Sequence, residues 1–325
     1  MKLAVIIPTL KADQALADCL ASLSVQSLSD FEIVVVANGP VGQALPNGVR
    51  LIQNDQNGGY GKAVNQGIRD SSSDYILALN DDTVLHADCL KHLVAAMDSR
   101  YEIGMCAPQI RLSDTGLIDS AGMLIAPDGS SKQRLHGHPV AEGGRNTHAL
   151  LPSGCAGLYR RAMLDEIGLF DEDFFLYCED TDLGLRARWK AWECVYVPAA
   201  VVEHRYSHSA SKAGSLKAYY VERNRILVLI RNFPIKNLLV SPFHALVRYF
   251  WHWNLKRQGK GIAAAYNGEE SIGSVLFRAW RDAFLKLPSA WRQRRQIQRK
   301  GRLNARQFQR LLTSYRISSR EVASQ

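Results

Sequence analysis

Short apolar runs alternate with helix-period stripes along the first hundred residues. Leu3 to Ile7 is a β-branched run of strand length; Leu16, Cys19, Leu20 and Leu23 then recur at intervals of one to three residues that fall on one helical face. Phe31 to Val36 is a second apolar strand, closed by the turn cluster Asn38-Gly39-Pro40, and Arg50 to Gln53 is a short third. Asn57-Gly58-Gly59 breaks the chain ahead of a helix carrying Ala63, Val64 and Ile68. Tyr75 to Leu79 is a fourth strand running directly into Asn80-Asp81-Asp82, and Leu90, Leu93, Val94 and Met97 share a face of the next helix. This alternation predicts stacked βαβ units, and so a parallel sheet covered by helices.

The pattern is less regular from 103 to 150. Asp114-Thr115-Gly116, Pro127-Asp128-Gly129 and Gly143-Gly144 separate short strand-like pieces, which predicts irregular β-structure or a mobile loop. Helical character returns near Arg160 and from Glu179 to Trp189, and dominates beyond Tyr219. No internal repeat and no low-complexity segment is present. The opening MKLAVIIPTL is broken by Pro8 and lacks a small-residue cleavage site, so it reads as a buried strand rather than a signal peptide. Leu238 to Trp253 is shorter than the roughly 20 apolar residues a span needs and contains Arg248, so no transmembrane helix is expected.

Charge changes the picture at one end only. Eleven Lys and Arg but one acid, Glu321, lie in residues 286–325, leaving the rest of the 325-residue chain close to neutral. Arg292, Arg294, Arg295, Arg299, Lys300, Arg302, Arg306 and Arg310 interleave with Trp291, Ile297, Leu303, Phe308 and Leu311. That mixture suits an interfacial helix on anionic lipid, while a merely solvated helix surface is the plain alternative. A nucleic-acid-binding role through this tail is the competing reading of another class; the neutral body and the lack of zinc-finger or RNA-binding aromatic signatures count against it. The six cysteines include no C-x-x-C pair and read as packed thiols.

Three constellations carry chemistry. Asn80-Asp81-Asp82 falls at the carboxyl end of a strand, where open α/β sheets place ligands, and adjacent carboxylates there suit a hard divalent ion; a cap on the next helix, by Asp82 or Thr83, is the other reading. Glu179-Asp180-Thr181-Asp182 follows the aromatic run Phe174-Phe175-Leu176-Tyr177 and opens a helix. It reads either as dipole-complementing acids or as a base whose pKa is raised by burial and by neighbouring acids. His204 and His208 follow a strand, where a histidine is structural or a ligand. Asn57-Gly58-Gly59-Tyr60-Gly61-Lys62 is a glycine-rich helix entry able to approach phosphates, with neither dinucleotide-fold nor P-loop spacing; that spacing also disfavours an oxidoreductase.

In order along the chain, AVIIPTL, SLSVQS, EIVVVANG, NGGYGKAVNQGI, LALNDDTVL, SGCAGLYRRAMLDEIGLFDEDFFLYCEDTDLGLRARWKAW, VVEHRYSHSAS and YYVERNRILVLIRNFP resemble the family-2 nucleotide-sugar glycosyltransferases, especially their rhamnosyltransferase-like branch. The resemblance covers residues 1–235 strongly. It implies a GT-A fold, with a Rossmann-like, mainly parallel central sheet flanked by helices and a mostly helical, basic C-terminal extension. It implies a catalytic domain over 1–215 (a nucleotide half to about 100, an acceptor half from about 101) and a helical region over 216–325.

By the same resemblance, Pro8, Thr9 and Asn38 lie near the base and ribose, and Asn57, Lys62 and Asn65 line the donor pocket. Asn80 and Asp81 sit by the ribose or diphosphate, and Asp82 and His204 hold Mg²⁺ or Mn²⁺. Asp180 is the base, supported by Glu179 and Asp182. Arg223 and Asn224 match a pair in relatives without an assigned role. The chain departs from the family at Ala37-Asn38, where relatives carry Asp-Asn or Asp-Asp, and this puts the base contact in question. The implied reaction is inverting transfer, with L-rhamnose from dTDP-rhamnose the leading donor and galactofuranose or a UDP-hexose the alternatives. The implied acceptor is a cell-surface or lipid-linked glycan. The protein is expected to be cytoplasmic, peripheral on the inner face of the membrane through residues 286–325, with no nucleic acid bound.

Overall fold

The computed structural model describes residues 1–41, 44–144, 147–205 and 214–325. The chain divides into two compact units, the first comprising residues 1–122, 133–187 and 192–207, the second 123–132, 188–191 and 208–325.

The first unit is built on a ten-stranded sheet. Its strands are β1 (Leu3–Thr9), β2 (Phe31–Ala37), β3 (Val49–Gln53), β4 (Tyr75–Leu79), β5 (Thr83–Leu85), β6 (Ile103–Leu112) and β7 (Leu117–Ser120). After the hairpin strands β8 (Met123–Ile125) and β9 (Ser131–Gln133) come β10 (His148–Ala149), β11 (Ala156–Arg160) and β12 (Glu193–His204). The order is β10-β12-β6-β11-β4-β1-β2-β3, with β5 on β12 and β7 on β6. The four strands from β3 to β4 run parallel, as their βαβ pattern predicts, and β11 enters antiparallel between β4 and β6. Helices α1 (Gln14–Ser24), α2 (Tyr60–Asp70) and α3 (Cys89–Asp98) link the parallel strands and bury the apolar stripes read from the sequence.

The region around 103–150 is more regular than its glycines suggest. Ile103–Leu112 is a ten-residue strand inside the sheet, buried from Ile103 to Ile110 and paired on both sides. A strand covered on both faces shows a continuous apolar run without alternation, so periodicity alone does not reveal it. Helices α4 (Arg161–Ile167) and α5 (Glu179–Trp189) complete this part of the chain.

The second unit is helical: α6 (Gly214–Asn232), α7 (Ile235–Arg257), α8 (Ile272–Leu285), α9 (Leu287–Arg299), α10 (Ala305–Ser314) and α11 (Ser319–Ser324). Trp189 stacks on Phe308 with centroids 4.0 Å apart, and its indole N–H donates to the Asn232 carbonyl at 2.8 Å. Ile125 exchanges backbone hydrogen bonds with Tyr315 and Ile317. A buried ionic cluster joins the hairpin to the helices. Arg248 bonds Asp128 at 2.6 Å and Glu222 at 2.8 Å, Arg225 pairs with Glu222, and Tyr249 and Trp280 also donate to Glu222. Burial alone raises the Glu222 pKa, but the two guanidiniums outweigh it and hold the carboxyl well below its usual range. Arg223 lies against Tyr219 and Tyr220 and donates to Asn224. No helix among the described residues is long and apolar enough to cross a membrane.

Candidate active site

Asp81 and Asp82 leave the carboxyl end of β4. The Thr9 hydroxyl, at the end of the neighbouring β1, donates to Asp81 at 2.5 Å. Burial, with Asp82 alongside, pushes the Asp81 pKa up to about 6 despite that bond. β12 runs back past β5, which brings His204 opposite Thr83 and sets its Nε2 at 3.4 Å from Asp82 Oδ1. The other imidazole nitrogen, Nδ1, lies 2.8 Å from Asp119 Oδ2, and Asp119 also meets His136 at 3.1 Å. Asp119 is almost fully buried on β7. Burial opposes its ionisation, but the two histidines outweigh this and lower its pKa.

Among the described residues, no three His, Cys, Asp or Glu side chains are grouped to hold an ion unaided. Asp82 and His204 offer two ligands side by side. Two ligands fit Mg²⁺ or Mn²⁺, because such ions keep coordination places for substrate phosphates. The Asp119–His204 contact fits equally well, since a ligating imidazole is ordinarily oriented through its second nitrogen. His208 lies outside the described residues.

The second constellation sits in the first turn of α5. Asp180 is half-buried, and its carboxylate is fixed by backbone donors: Gly154 N–H at 2.8 Å to Oδ2, and Thr181 N–H at 2.6 Å to Oδ1. A Cβ at Gly154 would stand 3.1 Å from that carboxylate, so the close approach needs glycine. Burial raises the Asp180 pKa against the lowering effect of these hydrogen bonds. The backbone just before it is strained: Phe175, Tyr177 and Cys178 all take positive φ, at 64°, 67° and 69°. Non-glycine residues rarely do so outside sites that surrounding structure over-determines. The two constellations are joined by one backbone bond, from Asn80 N–H to the Cys155 carbonyl at 2.9 Å, beside the Leu79–Ala156 pairing of β4 and β11.

Glu179 differs from its neighbour. It is buried, and its Oε2 has no hydrogen-bond partner among the described residues. Burial, then the adjacent Asp180, pushes its pKa up to about 8. The folded chain therefore keeps a proton that the unfolded chain releases near pH 4.5, and stability falls as pH rises between about 4.5 and about 8. Glu179→Gln is expected to raise Tm at about pH 8.5 and to change it little at about pH 5. A Tm difference independent of pH means that this carboxyl is not held protonated.

Asp182 faces elsewhere. It is buried against Arg186 at 2.8 Å, and that guanidinium also caps the carbonyls of Ile167, Gly168 and Leu169. In the loop before α2, Asn57 accepts the Gly59 N–H at 2.9 Å, and Tyr60 N–H donates to the Phe175 carbonyl at 2.8 Å. Gly59 has φ 87°, and a Cβ there would run into Phe175 backbone. The Tyr60 hydroxyl donates to the Gly154 carbonyl at 2.7 Å, which ties this loop to the Asp180 anchor. Lys62 is exposed. Asn38 is buried; it donates to the Gly59 carbonyl at 3.2 Å and accepts from Asn54 at 3.0 Å. Asn65 spends its amide on the Phe170 backbone, donating at 2.8 Å and accepting at 3.0 Å. Pro8 and Ala37 are paired in the β1–β2 ladder, and Ala37 is fully buried. Asp119, Cys155 and Tyr60 belong to this neighbourhood and carry no sequence signal as isolated residues.

A sheet of this order, with paired acids at one strand end and a carboxylate at the start of a nearby helix, is the GT-A glycosyltransferase architecture. It is shared with GalNAc-T7 solved with UDP, GalNAc and Mn²⁺ (TM-score 0.58, 14% identity, 87% of this chain and about half, 54%, of that one). It is shared too with the mannosyltransferase PcManGT of Pyrobaculum calidifontis solved with GDP-Man and Mn²⁺ (TM-score 0.51, 14% identity, 91% of this chain, 84% of that one). The glycosyl transferase family 2 model matches residues 4–168, and the chain belongs to that family. It is similar to the N-acetylglucosaminyl-diphospho-decaprenol L-rhamnosyltransferase of Mycobacterium tuberculosis, at 29% identity over 62% of this chain and 76% of that protein. It is also similar to the rhamnosyltransferase WbbL of Escherichia coli K12, at 29% identity over 56% of this chain and 72% of that protein.

Proposed function

We propose that the protein transfers L-rhamnose from dTDP-rhamnose to a hydroxyl of a cell-surface or lipid-linked glycan, with inversion at the anomeric carbon. The observation that carries the chemistry is the Asp180 carboxylate in the first turn of α5, fixed by the Thr181 N–H and by the N–H of Gly154, whose neighbour Cys155 is bonded to Asn80 at the Asn80-Asp81-Asp82 strand end. The two rhamnosyltransferase relatives support the sugar and, through the first, a lipid-linked acceptor.

In this reading Asp180 takes the proton of the acceptor hydroxyl as that oxygen bonds the anomeric carbon, opposite the departing nucleoside diphosphate. The glycosidic bond forms as the bond to the diphosphate breaks, so a single displacement inverts the centre. Asp82 and His204 would hold Mg²⁺ or Mn²⁺, which when bound offsets charge on the diphosphate. Asp119 keeps the His204 ring turned toward Asp82. Burial keeps Glu179 protonated near neutral pH, so it adds no charge beside Asp180, while the Asp182 carboxylate is neutralised by Arg186. The basic segment 286–325 is assigned to an anionic membrane surface, where a lipid-linked acceptor would be presented.

Thermal shift with added Mn²⁺ tests the donor. dTDP-rhamnose is expected to raise Tm more than UDP-galactofuranose or UDP-hexoses do. Protection by a UDP-sugar alone transfers the assignment to that donor.

A further inference from the structure

Of the apolar residues interleaved with the bases of the tail, Phe308 is turned inward, Ile297, Leu303 and Leu311 are half-buried, and Trp291 is exposed. Phe308 is fully buried on Trp189, Leu312 is buried, and Arg294 donates to the Ile230 and Phe233 carbonyls. The tail offers mainly charge, and the larger apolar surface lies elsewhere. On α7, Ile235, Leu239, Phe243, Leu246, Phe250 and Trp253 are all exposed, Leu239 by 78% and Phe243 by 66%. Their spacing of four, four, three, four and three residues confines them to about 80° of helix circumference over roughly 27 Å. On α8, Phe277, Trp280 and Phe284 form a second exposed stripe. The helices meet where Tyr249 and Trp280 approach to 6.1 Å, both donating to Glu222 below.

We infer that the exposed stripes of α7 and α8 are the face by which this protein inserts into an anionic lipid surface. Charge selects that occupant. α7 contains no Asp or Glu; Lys236 stands at its start and Lys256 and Arg257 at its end, with Arg257 over the Trp253 ring. Lys286 follows the α8 stripe, and Arg281 beside it pairs with Asp282, the one acid of that helix. Apolar and aromatic side chains bracketed by bases match the boundary between acyl chains and anionic headgroups. A second copy on the same face would set these bases against one another. The inference rests on the membrane assignment made for the tail and moves insertion to a different surface. Because its test does not measure transfer, its failure is distinguishable from failure of the glycosyltransferase reading.

The experiment is flotation of the full chain with vesicles of phosphatidylcholine and phosphatidylglycerol, beside pure phosphatidylcholine, using acyl chains brominated for tryptophan quenching. The expected result is binding to the anionic vesicles with quenching. Phe243→Ser/Leu246→Ser/Phe250→Ser/Trp253→Ser should weaken that binding by about tenfold or more, with unchanged circular dichroism. A Trp253→Phe/Trp280→Phe variant should bind as before and lose most of the quenching, which tests insertion even if the serine variant fails to fold. Binding without quenching, or binding unaffected in a folded serine variant, overturns the inference. So does absence of vesicle binding together with a dimer, seen by ultracentrifugation, that the serine variant abolishes.

Discussion

Replacing Asp180 by asparagine will lower transfer about 10²–10⁴-fold, the range typical of removing a positioned base. The substitution keeps the size of the side chain, and its amide oxygen can still accept from Gly154 or Thr181. What disappears is basicity. Donor affinity measured by calorimetry should barely move, because in the proposed scheme Asp81, Asp82 and His204 take the diphosphate side. Asp182→Asn is the control. Its carboxylate is buried and neutralises the partly exposed Arg186, so the loss falls on stability, at most about 3–5 kcal/mol, with little change in rate at permissive temperature. Near-normal turnover by Asp180→Asn, with Glu179→Gln inactive, would assign the base to the neighbouring carboxylate. Normal turnover by all three variants removes the base from the scheme altogether.

Removal of divalent metal should abolish transfer, and Mg²⁺ or Mn²⁺ should restore it. Asp82→Ala should be inactive at any metal concentration, since it removes one of the two side chains proposed to hold the ion. Asp119→Asn gives the graded result. It spares both ligands but weakens the hold on His204 Nδ1, and a partner of this kind is typically worth about 10–100-fold in metal affinity. Mn²⁺ titration followed by electron paramagnetic resonance reads this without turnover. Full activity in a chelator-treated, metal-free preparation would falsify the assignment of Asp82 and His204.

The legible parts of the chain were those where neighbours in sequence are also neighbours in space. Leu3–Ile7, Phe31–Val36 and Tyr75–Leu79 could be placed because each β-branched or apolar run ends at a turn or an acid, and each is a strand in the sheet. Ile103–Leu112 escaped notice because Pro108 and flanking glycines punctuate a run that is buried on both faces. The acids of the site could be found as clusters, but their division of labour could not. Asp119 reaches His204 across 85 positions, and no spacing rule connects them. Glu179, Asp180 and Asp182 look alike on paper, yet one is left without a partner at Oε2, one is held by backbone and one neutralises an arginine. Asn65 and Asn38, placed beside the donor by resemblance, use their amides to join loops of the protein itself. The tail shows the same limit. Its charge is evident from composition, whereas the inward turn of Phe308 depends on Trp189, more than a hundred residues earlier.

The exchange of backbone bonds between Ile125 and the Tyr315–Ile317 segment bears on the order in which the protein is made. The hairpin that carries Ile125 and Asp128 leaves the ribosome well before the helices that cover it. At about 5–20 residues per second, the strand waits on the order of ten to forty seconds for its partner. Arg225 and Arg248 reach the Asp128 carboxylate earlier, but until the end of that time Ala126 lacks Ile317 and Val322, which pack on it, and the hairpin is open to chaperones and proteases. Early release of an incomplete chain would leave this hairpin permanently uncovered. Ribosome-bound chains stopped before Tyr315 should therefore be cut near residues 123–132, and chains carried past Ile317 should resist.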